Sequence, residues 1–274
     1  MKLKYLDTHS HLNLEQFGED REAVFAKCAE EGVGMNNVGT NKATSKLAVE
    51  LSSQYEHVWA TVGLHPIYVA MGGVDDEEKG YEIEFDYDFY KKLAENNRTI
   101  GIGECGFDYC HNSDDTYEQQ REVFVAQVAL ANEVDKPLML HLRNSKDGQG
   151  RDAYDDALEI LKSEAKVLGN AHFYAGTAAQ AKAFFDIGYT ISFTGVITFA
   201  KSYEELVRLA PLDMIHGETD CPYVAPIPYR GQRCEPWMVQ EVYKTIAKIK
   251  AIDEEVVREQ LLKNAEDLYS LILE

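Results

Sequence analysis

The sequence has no long hydrophobic run, and no stretch approaches the roughly 18 apolar residues that a membrane-spanning helix needs. Residues 1–11 contain two lysines but no apolar segment of the kind found in secretory signals. The five cysteines form no C-x-x-C pair, and this scattered, odd-numbered set is not a disulfide framework. These absences predict a cytoplasmic protein with no membrane partner.

Positive charge is scarce. The 274 residues include 27 Lys plus Arg against 47 Asp plus Glu, a formal net charge of −20. Proteins that coat nucleic acids need clustered lysine and arginine, so the charge argues against a broad nucleic-acid-coating surface. It leaves open a local site at which bound metal ions supply the positive charge.

Several catalytic motifs are also missing. The chain has no G-x-S-x-G nucleophile motif, no P-loop and no H-E-x-x-H zinc helix. Residues 101–106 do spell G-x-G-x-x-G. A dinucleotide site needs that motif to follow a strand and open a helix, whereas here it lies largely within a predicted strand. The sequence therefore disfavours nucleotide-cofactor binding.

Short apolar segments alternate with amphipathic helical patterns along the whole chain. Eight strands are predicted, at residues 4–9, 35–40, 59–64, 99–104, 137–142, 167–173, 189–194 and 214–218. Helices are predicted at 20–31, 115–134 and 178–187, with two or three more in 236–274, and long loops at 67–88 and 221–236. Eight such units in this length predict one α/β domain over 1–274, a (β/α)₈ TIM barrel, with an open doubly wound sheet as the alternative.

Metal-capable side chains stand at the carboxyl ends of the predicted strands. They are His9, His11, His65, Glu104, His141, His172 and Asp220. In a barrel all these ends meet at one rim, where active sites lie. A single histidine is more often structural than functional, but the combined set favours a metal centre. The remaining histidines are expected at the surface (His57 and His111) or in the core (His216).

The spacing indicates how two divalent ions could be held. His9 and His11 point the same way on a strand, and Asp7 can orient them from below. Glu104 can bridge two ions, His141 and His172 can complete the second, and Asp220 can hold the first ion and the attacking water. Imidazole and carboxylate ligands suit Zn, Mn, Fe or Mg. Such a pair of ions suits hydrolysis of a phosphodiester, ester or amide.

Other residues are open to two interpretations. His65 is a ligand, a proton donor or a substrate contact. Arg230 and Arg233 either bind phosphate at the rim or are solvated loop arginines. Cys105 and Cys221 are expected to pack away from the site, and Cys234 to be exposed in its loop.

A family resemblance runs from about residue 6 to residue 271. It is carried by residues 7–12 (DTHSHL), 63–66 (GLHP), 103–109 (GECGFDY), 141–143 (HLR), 172–176 (HFYAG), 218–223 (ETDCPY) and 228–236 (PYRGQRCEP). With these motifs in this order, the chain resembles the TatD family of metal-dependent deoxyribonucleases. The resemblance implies a barrel with two divalent ions (Mg, Mn or Zn), one held by His9, His11, Glu104 and Asp220 and the other by Glu104, His141 and His172. It also implies catalytic roles for Asp220, Glu104 and His65 and substrate contacts from His65, Arg143 and Arg230.

Three functions follow from these expectations. The leading one is a 3′→5′ exonuclease that uses metal-activated water on DNA ends or single-stranded DNA. The second is a D-aminoacyl-tRNA deacylase or another ester or amide hydrolase on the same site, and the third is a non-catalytic metal-binding scaffold. The sixth-strand motif departs from the family's usual His-Cys-Phe-Ser-Gly at Phe173, Tyr174 and Ala175. Another departure is Phe107, where the family usually has leucine, and the loop motif has Tyr229 and Cys234 in place of His and Asn. These departures affect substrate preference rather than the metal ligands.

Overall fold

The protein is described from a computed structural model, which covers residues 3–71, 85–112 and 114–273. Eight strands form one sheet in the order of the chain, and each pairs in parallel with the next. The strands are β1 (Tyr5–Ser10), β2 (Val33–Val38), β3 (Val58–Val62), β4 (Thr99–Asp108), β5 (Leu138–Arg143), β6 (Gly169–Ala171), β7 (Thr190–Phe193) and β8 (Ile215–Gly217). The predicted eight-stranded barrel is confirmed.

The sheet closes between its first and last strands just beyond their carboxyl ends. Ser10 and Cys221 form a parallel bridge, and the Asp220 N–H donates to the His9 carbonyl oxygen at 3.0 Å. Closure therefore places the end of β1 beside the segment that follows β8.

Ten helices surround the sheet in the described part of the chain. They are α1 (Arg21–Glu31), α2 (Lys42–Ser52), α3 (Ile67–Met71), α4 (Tyr87–Ala94), α5 (Tyr117–Val134), α6 (Ala153–Glu164), α7 (Ala178–Asp186), α8 (Glu204–Leu209), α9 (Val239–Lys250) and α10 (Glu254–Tyr269). Local sequence explains several ends: Asn41 and Thr177 form capping boxes on α2 and α7, and Gly32 ends α1 in the left-handed conformation at φ 75°. None of the helices in these ranges is long and apolar enough to cross a membrane.

The structure corrects the predicted loop at 67–88. Its first residues form the short helix α3, α4 begins at Tyr87, and residues 72–84 lie outside the described residues. The two or three helices predicted in 236–274 are confirmed as α9 and α10, preceded by a 3₁₀ turn at Pro236–Met238. The G-x-G-x-x-G run lies wholly inside β4, so it forms no phosphate-binding turn.

The apolar core lies between the strands and the surrounding helices. A second apolar cluster joins α10 to residues near the amino ends of the strands, including Leu3, Trp59 and Ile100. The amino end of the barrel is therefore filled, and the polar side chains gather at the opposite rim.

A glycine next to Glu104 lets β4 approach β5 closely. Gly103 has φ 149°, and a Cβ there would meet the Met139 carbonyl oxygen at 2.3 Å.

Candidate metal centre

All the predicted ligands converge at the carboxyl rim of the barrel. His9, Glu104 and His141 lie on β1, β4 and β5, while His11, His172 and Asp220 follow β1, β6 and β8. His9, His11, Glu104 and His172 are buried, and the side chains of His141 and Asp220 are each 14 % exposed. Strand ends that are far apart in sequence thus bring six donor groups together in one region of the rim.

The first group consists of two imidazoles and two carboxylates. The Nε2 atoms of His9 and His11 are 3.0 Å apart, and Glu104 Oε2 lies 3.4 Å from the first and 3.7 Å from the second. Asp220 Oδ1 lies 3.7 Å from His9 and 3.4 Å from His11. Two nitrogens bound to the same ion at about 2.0–2.1 Å are separated by about this distance, so the donor set fits one divalent cation.

The second group surrounds the other oxygen of the same carboxylate. Glu104 Oε1 lies 2.7 Å from His172 Nε2, 2.9 Å from His141 Nδ1 and 3.4 Å from His65 Nε2. The ring nitrogens of His141 and His172 are 3.3 Å apart. Glu104 therefore offers one oxygen to each group, which is the arrangement a bridging carboxylate requires.

The electrostatics keep this carboxylate ionised. Although burial acts in the opposite direction, the imidazoles of His172, His65 and His9 hold the pKa of Glu104 well below its ordinary value. Burial opposes protonation of His11, but the Asp220 and Glu104 carboxylates raise its pKa to about 9. Carboxylate oxygens and imidazole nitrogens bind protons and metal cations at the same atoms, so a bound cation would displace protons from this centre.

Hydrogen bonds made by the second ring nitrogen fix the tautomers of two of the proposed ligand histidines. His11 Nδ1 donates to the Val38 carbonyl oxygen at 2.8 Å, which leaves Nε2 as the metal-binding atom. His141 Nε2 donates to Asp108 Oδ2 at 3.0 Å, which leaves Nδ1 facing Glu104. Such second contacts are typical of metal-ligating histidines and support the assignment of this rim as a metal centre.

The sequence of this chain matches a family of known proteins. The family model described as TatD related DNase matches residues 6–270. The chain belongs to the TatD family. It is 34% identical over 270 residues to the uncharacterized metal-dependent hydrolase YabD of Bacillus subtilis, covering 97% of this chain and 98% of that protein.

Further relatives agree with this TatD assignment. The 3'-5' ssDNA/RNA exonuclease TatD of Pantoea ananatis is 30% identical, over 97% of this chain and 99% of that one. The crystal structure of YJJV, a TatD homolog from Escherichia coli, superposes with a TM-score of 0.81 at 23% identity, covering 99% and 100% of the two chains. The predicted family and barrel are confirmed, and the protein is a metal-dependent hydrolase of this family.

His65 differs from the other rim histidines of this TatD-family chain. The Ile67 N–H donates to His65 Nδ1 at 3.0 Å, so the proton of the neutral ring sits on Nε2 and faces Glu104. Burial and the neighbouring His141 lower the pKa of His65 to about 4, so the ring is neutral at physiological pH. His65 also forms a group with Glu104 and His141 that could hold a metal ion, so its three predicted roles stay predictions.

The two predicted substrate-binding arginines lie in different places. Arg143, at the end of β5, lines the rim cavity, which has a volume of about 540 Å³. Arg230 does not line it, because its guanidinium lies 4.0 Å from the Phe199 ring centroid and donates to the Ala225 carbonyl oxygen. Arg233 is held by an ion pair with Asp20 at 2.6 Å. The substrate contacts of Arg143 and Arg230 stay predictions.

Asp7 does not orient the imidazoles, contrary to the prediction. Its carboxylate accepts hydrogen bonds from the His9 N–H at 3.2 Å, the Thr219 N–H at 2.9 Å and the Thr219 hydroxyl at 2.5 Å. In the described part of the chain, His9 Nδ1 is buried without any hydrogen-bond partner. Asp7 instead joins β1 to the segment after β8.

Two carboxylates that sequence reasoning missed lie behind the ligands. Asp108 contacts His141, as described above, and Glu218 Oε1 lies 3.5 Å from His172 Nδ1. Both belong to motifs that carry the resemblance, and Asp108 is four residues along β4 from Glu104, on the same face of the strand. That alternation was the signal available for Asp108.

The remaining histidines and cysteines divide between confirmed and corrected predictions. His216 is fully buried and contacts the Thr190 hydroxyl, as expected for a core histidine. His111 is exposed but also lines the cavity and pairs with Asp108 at 2.8 Å, so it is more than a surface residue. Cys234 is buried, which corrects its predicted exposure, because the long loop folds against the barrel.

Proposed function

We propose that this protein is a metal-dependent phosphodiesterase that shortens single-stranded DNA from its 3′ end. The observation that carries the proposal is the Glu104 carboxylate, whose two oxygens face separate groups of imidazoles. The printed name of the Pantoea relative, a 3'-5' ssDNA/RNA exonuclease, supports the choice of nucleic acid as substrate. A cytoplasmic location remains a prediction from the sequence alone.

The donor set fits two divalent cations of the borderline or hard type, Mg, Mn or Zn. His9, His11, Glu104 and Asp220 would hold one, and Glu104, His141 and His172 the other. When bound, the cations would neutralise the phosphate and lower the pKa of a water molecule.

Asp220 is the residue best placed to orient and deprotonate the attacking water. Although burial works against ionisation, the hydrogen bond to His11 and the charges of His9 and His172 lower the pKa of Asp220. The carboxylate lines the cavity and is the more exposed of the two acidic donors. It can therefore accept a hydrogen bond from water and then its proton.

His65 is placed to assist on the substrate side. The His65 Nε2–H faces Glu104 in the proposed metal centre. Because the His65 ring is neutral, it does not compete with metal cations for the carboxylates. We assign it a hydrogen bond to a phosphate oxygen or to the leaving oxygen.

A strand end suits this cavity better than a long duplex. The cavity volume falls within the range of small-molecule sites, and the net charge of −20 disfavours extended contact with DNA phosphates. Arg143 lines the cavity, where it can contact a phosphate of a strand end.

The test compares substrates of matched sequence. A 5′-labelled single-stranded oligonucleotide should give a stepwise ladder of shortened products, and a 3′-terminal phosphorothioate linkage should retard its first step. A blunt duplex should be cut more slowly. Cleavage at internal positions of the duplex without shortening would contradict the proposal, and hydrolysis of D-aminoacyl-tRNA with intact DNA would assign the ester-hydrolase alternative.

A further inference from the structure

Three aromatic side chains line the cavity from segments that follow adjacent strands. Phe173 lies two residues after β6, Tyr203 lies ten residues after β7, and Tyr223 lies six residues after β8. Phe173 and Tyr203 are partly exposed, and Tyr223 is 45 % exposed. We call these three residues the aromatic wall.

The wall adjoins the proposed metal ligands along the chain. Phe173 directly follows His172, and their ring centroids are 6.5 Å apart. Tyr223 lies three residues beyond Asp220, and its N–H donates to the Asp220 carbonyl oxygen at 3.0 Å. A group attached to a phosphate at the centre would therefore meet the wall next.

Phe173 is held in a costly backbone conformation. Its φ is 43°, a left-handed value that bulky residues rarely adopt. Its N–H donates to Glu218 Oε1 at 2.6 Å, and the next residue, Tyr174, is turned into the core. Strain of this kind is concentrated at functional sites, and here it directs the ring toward the cavity rather than into the packing.

Core packing does not explain this aromatic ring. Phe173 belongs to neither of the two apolar clusters in the described part of the chain, whereas Tyr174 belongs to the larger one. Tyr68, which also lines the cavity, is only 4 % exposed and packs against His65. The partly exposed rings of the cavity thus follow β6, β7 and β8, whereas the buried Tyr68 follows β3.

We propose that the aromatic wall is a nucleobase-binding subsite, with Phe173 stacking on the base of the nucleotide whose phosphate occupies the metal centre. This inference rests on the proposed function and extends it to base recognition. Aromatic rings stack on every base with little sequence preference, which suits an enzyme that removes successive nucleotides. Arg143, on the neighbouring strand β5, would contact the phosphate side of the same nucleotide.

The test measures base binding separately from cleavage. The metal-loaded protein is titrated with 2-aminopurine deoxyribonucleoside 5′-monophosphate, whose fluorescence is quenched when the base stacks. Saturable quenching is expected, and Phe173→Ala should weaken binding about 5- to 100-fold. Phe173→Tyr keeps the aromatic face and should restore binding.

Two controls separate stacking from general damage. Phe185→Ala removes a partly exposed aromatic ring on α7 that does not line the cavity, and it should leave binding unchanged. Deoxyribose 5-phosphate lacks the base, so its affinity, measured by competition, should be the same for wild type and Phe173→Ala.

The outcomes distinguish this inference from the nuclease proposal. Unaltered binding by Phe173→Ala, or equal weakening of deoxyribose 5-phosphate, would overturn the subsite. Shortening of oligonucleotides without any quenching of 2-aminopurine fluorescence would support the nuclease proposal and overturn the proposed subsite. Saturable, Phe173-dependent quenching without cleavage of any strand would support the subsite and contradict the nuclease.

Discussion

Replacing Asp7 by alanine removes the acceptor that joins β1 to the segment after β8. Three hydrogen bonds are lost, from the His9 N–H, the Thr219 N–H and the Thr219 hydroxyl. Asp7 and Thr219 are both buried, so water cannot easily replace the missing acceptor. Each lost bond costs about 1 kcal/mol, and buried donors left unsatisfied add to this, so we expect a total loss of about 3–5 kcal/mol.

Asparagine at position 7 is the matched comparison. Its carbonyl oxygen can accept from both N–H groups, and its NH₂ can donate to the Thr219 hydroxyl oxygen. Asp7→Asn should therefore cost less than about 1.5 kcal/mol.

Urea denaturation of the two variants measures these differences, and metal analysis of the folded proteins shows the effect on the centre. Because Asp7 holds the segments that carry His9 and Asp220, Asp7→Ala should also bind metal more weakly. Equal stabilities of Asp7→Ala, Asp7→Asn and wild type would refute the assignment of Asp7 as the closure of the barrel.

Two further predictions concern buried groups. Burial lowers the pKa of His216 to about 4. Between about pH 6.5 and pH 4 the unfolded chain therefore binds a proton at His216 that the folded chain does not. The free energy of unfolding should fall by up to about 3 kcal/mol as the pH drops through this window. His216→Gln should reduce that slope in denaturation curves measured from pH 7 to pH 5, and an unchanged slope would contradict the assignment. Glu218→Gln should weaken metal affinity about 10- to 100-fold, because Glu218 faces His172 and accepts the Phe173 N–H. Calorimetric titration with Zn or Mn measures the metal affinity of Glu218→Gln and of the wild type. An unchanged affinity would show that Glu218 is only a packing residue.

The convergence of the metal ligands could be predicted from the sequence because parallel barrel geometry brings strand ends together. Once His9, Glu104, His141 and the residues after β6 and β8 are placed at strand ends, their proximity follows from the topology. The order of the TatD motifs along the chain also identifies the family from the sequence.

Other features depend on contacts that local sequence does not specify. The local sequence predicts that Asp7 contacts the imidazoles of His9 and His11, but its partner Thr219 is 212 positions distant and meets it only when the barrel closes. Arg230 stacks on Phe199 because the loop after β8 folds back toward the segment after β7, and loop conformations of this length have no periodic signal. Similarly, the Phe173 N–H, which belongs to a left-handed backbone, donates to Glu218, which lies 45 residues away.

The central claim is that Glu104 organises a metal centre on which hydrolysis depends. The direct measurement strips the protein with a chelator, adds Mg, Mn and Zn separately, and follows shortening of a labelled single-stranded oligonucleotide, with Glu104→Gln in parallel. The account predicts no turnover without metal, turnover restored by at least one of the three, and at least about a 100-fold loss in Glu104→Gln with the fold intact, since even outer partners of ligands cost 10- to 100-fold. Full activity in the chelator-treated protein, or in Glu104→Gln, would contradict it.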